Sequence, residues 1–334
     1  MKVLIRYQPK HNRETYEGVR LRKTLKGECE LASISWVSNA KTKPDIAHFI
    51  SPRDLLLLRK MKRTGVKCIV SAFYCENDPY ACFLNRKNPQ NPIISKKALA
   101  ICNEADLVLV PNEFFYDFAK NQKITGEIRV FSPSVDLSRF QVFPGEEKIF
   151  PRYFRVRPNQ AVVIGSGSYG DNASVSRFKK IASLCPNIEF YFFGSGTGPL
   201  TVLWDKIGRL NRKATPNCHF VPAAHDDIYR SAIYRSIARL SLSDPAHESL
   251  GVLDAFAAKL QVVAYGDRPF SNWIKADVTA KVFQTEEQIA AYLEELFQGK
   301  AEMTIMGGYQ IAYERRIENG ASKLKIIYES ILNA

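Results

Sequence analysis

Two runs of alternation constrain this chain more than any other feature. Short apolar segments of β type alternate with helical patterns, pause, and alternate again. In the first run KVLIRY, LASISW, DIAHFI, KCIVSA, DLVLVP and IRVFS read as strands, with helices at RDLLLLRKMKR, SKKALAICNEA and NEFFYDFAKNQ. Strands separated by helices favour parallel βαβ units, because a parallel neighbour needs a crossover long enough to hold a helix. The stretch QVFPGEEKIFPRYFRVRPNQ, 141–160, is rich in proline and charge and reads as a linker. The second run then opens: AVVIGSG, a helix near SVSRFKKIASL, IEFYFFGSG, CHFVPA, a helix at DDIYRSAIYRS, IARLSLS, a helix at Gly251–Lys259, and QVVAYG. The tail reads as helical with an interruption at Asn319–Gly320. The expected fold class is α/β, with two Rossmann-like, doubly wound parallel-sheet domains facing a cleft. The expected boundaries are a first domain over 1–143, a linker over 144–157, a second domain over 158–305, and a helical segment over 306–334 that crosses back toward the first. In such sheets ligands sit beyond the carboxyl ends of the strands.

At 334 residues and 46% hydrophobic, the chain has enough apolar material for two cores. Its longest apolar runs fall far below the ~20 residues of a membrane-spanning helix. The opening MKVLIRYQPKH reads as a first strand and not as a signal peptide. Seven cysteines without CxxC spacing argue against a zinc site and for reduced thiols in a cytoplasmic protein. Residues 1–150 carry 25 basic and 16 acidic side chains, net +9, against +4 for the remainder. Such a field attracts phosphates, anionic lipid or nucleic acid. FYCENDPYACF is acidic at its centre and lacks the basic–aromatic interleaving of strand-binding grooves, so no nucleic-acid partner is expected. PRDLLLLRKMKRTGVK sets a leucine-rich face against Arg59, Lys60, Lys62 and Arg63. It reads either as a crossover helix or as a basic amphipathic face on an anionic membrane.

Two stretches resist a purely structural reading. In SLSDPAHESLGVLDAFAAKLQVVAYG one acid, Asp254, lies on a helix otherwise built to pack on a sheet. In VFSPSVDLSRF a strand ends in a Ser/Pro turn before Asp136, which taken alone is an interdomain turn with a helix cap at Asp136 or Ser138. The second stretch resembles the turn that closes the acceptor domain in the group 1 (family 4) retaining glycosyltransferases, which have the two-domain GT-B fold. ADLVLVPNEFFYDFAK, AVVIGSGSYG, NIEFYFFGSGTGP and NCHFVPAAHDDIYRSAIYRSIARLSLS resemble further family segments in the family's order, and the first stretch then falls on its two-acid signature. The short first half and the RYF after the linker look most like bacterial enzymes that glycosylate diacylglycerol glycolipids.

The resemblance implies a retaining, metal-independent transfer of a hexose from a nucleotide sugar (UDP- or GDP-hexose), with no further cofactor. The acceptor would be a glycolipid, polysaccharide or protein glycan, and the enzyme would work in the cytoplasm or peripherally on the inner face of the membrane. It places Asp254 at the donor's ribose, and Ser249 and Gly251 at the diphosphate, where a helix start offers free N–H groups and a positive dipole end. Ser166 and Gly167 fall in the donor-side glycine loop. The first signature acid falls on Ala246, with Glu248 two residues later as the substitute. The Arg and Lys expected after the glycine loop fall on Asn172 and Ala173, leaving Arg177, Lys179 or Lys180 to supply charge. On the acceptor side Glu76 and Asp78 stand in a loop at a strand's carboxyl end. His48, His225 and His247 have no metal-ligand spacing. The replacements at Ala246, Asn172 and Ala173 leave a second reading open, a glycosyltransferase-like partner subunit without turnover.

Overall fold

The computed structural model describes residues 1–7, 17–76, 78, 80–85, 93–141, 143–195, 200–222, 224–242, 249–266 and 273–333. The chain forms two compact units, one holding Tyr16–Val135 together with the first residues and Arg315–Ala334, the other holding Asp136–Glu314.

The first unit runs β1 (Lys2–Arg6), α1 (Glu17–Leu31), β2 (Ser35–Val37), β3 (Ile46–Phe49), α2 (Leu55–Arg63), β4 (Lys67–Ser71), α3 (Lys96–Glu104), β5 (Leu107–Val110), α4 (Glu113–Asn121) and β6 (Glu127–Val130). Its sheet is parallel throughout, in the order β2-β1-β3-β4-β5-β6. The central strands carry uninterrupted buried runs such as Leu107–Val110, as expected where helices cover both faces of a sheet. Side-chain caps start the helices: Ser95 accepts from the amide of Ala98, and Asn112 from that of Phe115.

The second unit runs α5 (Ile149–Phe154), β7 (Ala161–Ser168), α6 (Asn172–Leu184), β8 (Ile188–Ser195), α7 (Leu200–Arg212), β9 (Cys218–Pro222), α8 (Asp226–Arg235), β10 (Ala238–Ser241), α9 (Leu250–Ala257), β11 (Gln261–Tyr265), β12 (Lys281–Phe283), α10 (Glu286–Phe297) and α11 (Ile305–Glu314). Its parallel sheet has the order β12-β11-β10-β7-β8-β9. The order turns about β7 and β10, and the carboxyl ends of those two strands mark the switch point where doubly wound sheets bind ligands. Phe178, Phe190, Phe192 and Phe220 stack edge to face in the core beneath it. Both sheets are parallel, as the alternation implied, with β12 added at the edge of the second.

The stretch 144–157 is not a free linker. Phe150 is fully buried, packs against Phe154, Tyr191 and Phe193, and donates its amide to Ser231 Oγ at 2.8 Å. Pro151 is tolerated because it occupies the first turn of α5, where its missing N–H has no helical partner to lose. Helices α1, α7 and α10 and strand β12 were not anticipated either.

The last helix, α12 (Ile317–Leu332), belongs to the first unit and packs on α1. A buried polar seam joins it to the sheet. His48 on β3 lies 2.7 Å from Tyr328 Oη through Nδ1 and 2.7 Å from Ser71 Oγ through Nε2. Burial pushes His48 down to about 3, so the ring is neutral. Nearby, Ser134 donates to Glu28 Oε1 at 2.5 Å. Gly320 makes room for that carboxyl, since a Cβ there would lie 2.1 Å from the same oxygen. All seven cysteines are free thiols. Among the described residues no helix is long and apolar enough to cross a membrane.

Candidate active site

The carboxyl end of β7 is shaped by aromatic wedges. Tyr169 is buried and donates its hydroxyl to Val221 O at 2.5 Å, which fixes the chain leaving β7. A Cβ on Gly194 would lie 2.1 Å from that ring, so only glycine lets the two strand ends close up. Asp171 then caps α6 by accepting from the amide of Ser174 at 3.1 Å, which leaves Asn172 and Ala173 exposed on its first turn. Ser166 and Gly167 are half-buried at the strand end. Across the switch point, Ser249 caps α9 by accepting from the amide of Gly251 at 3.2 Å. The start of α9 thus carries a positive dipole end toward the same region as β7.

Asp254 lies one turn further along α9 and is 2% exposed. Its carboxylate is not solvated. Asp254 Oδ1 stands 3.9 Å from Arg139 Nη1, and Arg139 comes from the VDLSRF turn, whose residues Leu137–Phe140 form a short 3-10 turn capped by Asp136. Arg139 also donates to Asp226 at the start of α8. Burial works against its charge, but Asp254 and Asp226 outweigh burial and hold the guanidinium protonated beyond its ordinary range. Arg230 extends the network, donating to Glu146 at 2.9 Å and to Arg139 O at 3.2 Å.

The cations expected to replace Asn172 and Ala173 lie in different places. Arg177 stays near the strand ends. It donates to Leu242 O at 3.2 Å, stacks 4.0 Å over Tyr265 and faces Glu286 at 3.9 Å. Lys179, two residues further along α6, is half-buried and lies on another face of the helix than Arg177, near enough to Cys218 at the start of β9 for its charge to act on that thiol. Lys180 is exposed and paired with Glu287 at 2.6 Å. Glu248 and Ala246, like His247, lie outside the described residues.

In the first unit Glu76 and Asp78 build the loop that carries them. Asp78 is 1% exposed. It accepts from Tyr7 Oη at 2.5 Å, from the amide of Gly18 at 3.0 Å and from the amide of Tyr80 at 2.9 Å. Burial raises it to about 6 against those three bonds. Glu76 accepts from the amides of Phe83 and Leu84, each at 3.2 Å. Each carboxylate therefore spends hydrogen-bonding capacity on its own chain. The basic face of α2 is also partly engaged, since Arg59 pairs with Glu104 and Lys62 with Asp106 at 3.0 Å. Leu56 remains 79% exposed beside them.

Two arginines escaped the sequence reading. Arg139 sits inside the quoted turn but was passed over for the cap at Asp136. Arg239 interrupts the apolar strand IARLSLS, and a charge at a core-facing strand position was the signal for it.

No family model matches the chain. Among curated proteins it is similar to the processive diacylglycerol alpha-glucosyltransferase of Acholeplasma laidlawii, 22% identical over 243 residues and covering 72% of each chain. Among solved structures it resembles Anabaena Alr3699/HepE in complex with UDP-glucose, with a TM-score of 0.73 at 13% identity over 99% of this chain and 100% of that one. A glycosyltransferase from Rickettsia africae aligns with a TM-score of 0.68 at 14% identity, covering 99% and 98% of the two chains. The fold is thus the GT-B fold of these neighbours, and the similarity to a diacylglycerol glucosyltransferase is in keeping with the group 1 resemblance of the motifs.

Proposed function

We propose that the protein transfers a hexose from a uridine diphosphate sugar to a diacylglycerol glycolipid or a related glycan. The transfer retains the anomeric configuration, needs no metal and takes place at the inner face of the membrane. The observation that carries this reading is the pairing, within one unit, of the β7 strand end and the start of α9, with Asp254 anchored by Arg139 one turn beyond. The relatives bound to UDP-glucose and acting on diacylglycerol support the donor and the acceptor. In the reaction the bond between the anomeric carbon and the diphosphate oxygen breaks and its electron pair stays on the diphosphate. The acceptor hydroxyl oxygen takes its place on that carbon, and its proton passes to a phosphate oxygen. Charge grows on the leaving group, so the start of α9 and the guanidinium of Arg177 act on the transition state more than on the bound donor. Glu248 is the proposed acid at the donor sugar and Asp254 the one at the ribose. Glu76 and Asp78 hold the acceptor-side loop in shape.

The partner-subunit reading draws on one observation: Asn172 and Ala173 carry no charge, and Lys180 is committed to Glu287. Incubating the protein with UDP-glucose or GDP-mannose and diacylglycerol vesicles, with and without chelator, separates the two. Turnover with UDP-glucose and an α-linked product by NMR supports transfer. Calorimetric binding of UDP without turnover on any lipid or glycan supports the partner, and a chelator-sensitive rate refutes metal independence.

A further inference from the structure

Arg239 lies on β10 between Ala238 and Leu240 and is 1% exposed. A guanidinium taken out of water is costly unless an anion or a full set of hydrogen bonds compensates it. Among the described residues the partners of Arg239 are neutral. Its Nη2 donates to Ser166 Oγ at 2.6 Å and its Nη1 to Tyr229 Oη at 3.1 Å. Its Nε has no acceptor. Arg139, the other deeply placed arginine nearby, has two carboxylates. Arg239 has none.

The surroundings are built for this charge. A Cβ on Gly251 would lie 2.1 Å from Arg239 Nη2, so glycine in the first turn of α9 is what admits the side chain. The guanidinium therefore sits against the positive end of a helix, and no side chain among the described residues neutralises the two. Like charges held together in this way favour an anion. Ser166 is the link to the surface. It lies half-buried near the end of β7, and by accepting from a guanidinium its own hydroxyl becomes a stronger donor toward a ligand oxygen.

We infer that Arg239 is a buried cation of the donor diphosphate site, acting beside Arg177 through the hydroxyl of Ser166 and supplying charge missing at Asn172 and Ala173. The inference rests on the donor reading above. Arg239 is a positioning residue: it polarises and orients Ser166 and contributes its field, while Ser166 meets the phosphate oxygen.

The test compares UDP with uridine on the full chain, by calorimetry for the first and saturation-transfer NMR for the second. Arg239→Met should weaken UDP binding about 10- to 100-fold and leave uridine binding unchanged. Arg239→Lys should restore part of the loss. Ser166→Ala should weaken UDP in the wild type and add nothing in the Arg239→Met background. Thermal unfolding is the control for a merely structural role. Replacing a buried, carboxylate-free guanidinium by methionine should hold or raise the Tm. A lowered Tm with equal losses for UDP and uridine overturns the inference, as does unchanged UDP binding in a folded Arg239→Met protein. Wild-type protein that binds neither molecule overturns the donor reading itself. If Arg239→Met does not fold, Ser166→Ala decides: UDP and uridine binding both unchanged refutes the link.

Discussion

Glu28 offers a measurable imprint of the buried seam on stability. It lies on α1 at 1% exposure, facing Ser134, Cys29 and, from α12, Gly320 and Tyr328. Burial raises its carboxyl from 4.5 to about 8, and the Ser134 hydrogen bond only partly offsets this. The folded chain therefore holds this proton more tightly than the unfolded one. The contribution is complete below pH ~4.5, where both states are protonated. As pH rises, the unfolded chain ionises first, and stability falls by about 1.4 kcal/mol per unit until the folded carboxyl also ionises near 8. At pH 7 the loss is about 3 kcal/mol. Glu28→Gln carries a neutral group at every pH. Its amide nitrogen takes the place of Oε2, which has no protein partner, much as the acid's O–H does. The variant should match wild type at pH 5 and exceed it at pH 7 by about 6–12 °C in Tm, at ~2–4 °C per kcal/mol for a unit of this size. Thermal unfolding of both proteins at pH 5, 7 and 8.5 reads the difference. His48, held near 3, and Asp78, near 6, titrate in both proteins and cancel. A gap that does not widen with pH would refute the reasoning.

Other expectations follow from single contacts. Gly251→Ala should destabilise the second unit by roughly 1–3 kcal/mol, through the clash with Arg239, and Gly251→Ala combined with Arg239→Met should recover most of it in urea unfolding. Asp254→Ala should weaken nucleotide binding by ~1–3 kcal/mol, the worth of a charged hydrogen bond; unchanged affinity in calorimetry removes Asp254 from the site. Association with anionic vesicles should fall as salt rises, since the Debye length shrinks to about 8 Å at physiological ionic strength. Lys60→Glu with Arg63→Glu should lower it more than Arg59→Ala, whose charge is already paired with Glu104; equal flotation with neutral lipid would refute this.

The fold was legible because parallel strands covered on both faces read as apolar runs, as at β3, β5 and β11, whereas the short edge strand β12 gave no such run. What was missed has physical causes. Helix α1 buries Glu17, Arg20 and Glu28, so its charges fall on the packed face and blur the period. The stretch around α5 looked like a linker because prolines and charges surround Phe150 and Phe154, which bury one turn apart. Asp254 was singled out through its place in a motif, but its neighbour Arg139 was not, since ion pairs across 115 positions leave no local pattern. Arg177 and Lys179 could not be told apart by composition, although two positions along a helix put side chains on different faces.

The contact between His48 and Tyr328 spans 280 positions. On the ribosome the six strands of the first sheet emerge long before α12 is made, with the whole of Asp136–Glu314 synthesised in between. Until then Glu28, His48 and Ser71 face an unfinished wall, and the second unit can fold as a continuous piece while the first waits. Ribosome-bound chains stopped before Ile317 should yield a protease-resistant second unit and a first unit still open to cleavage, so order of synthesis and order of folding run in opposite directions in this chain.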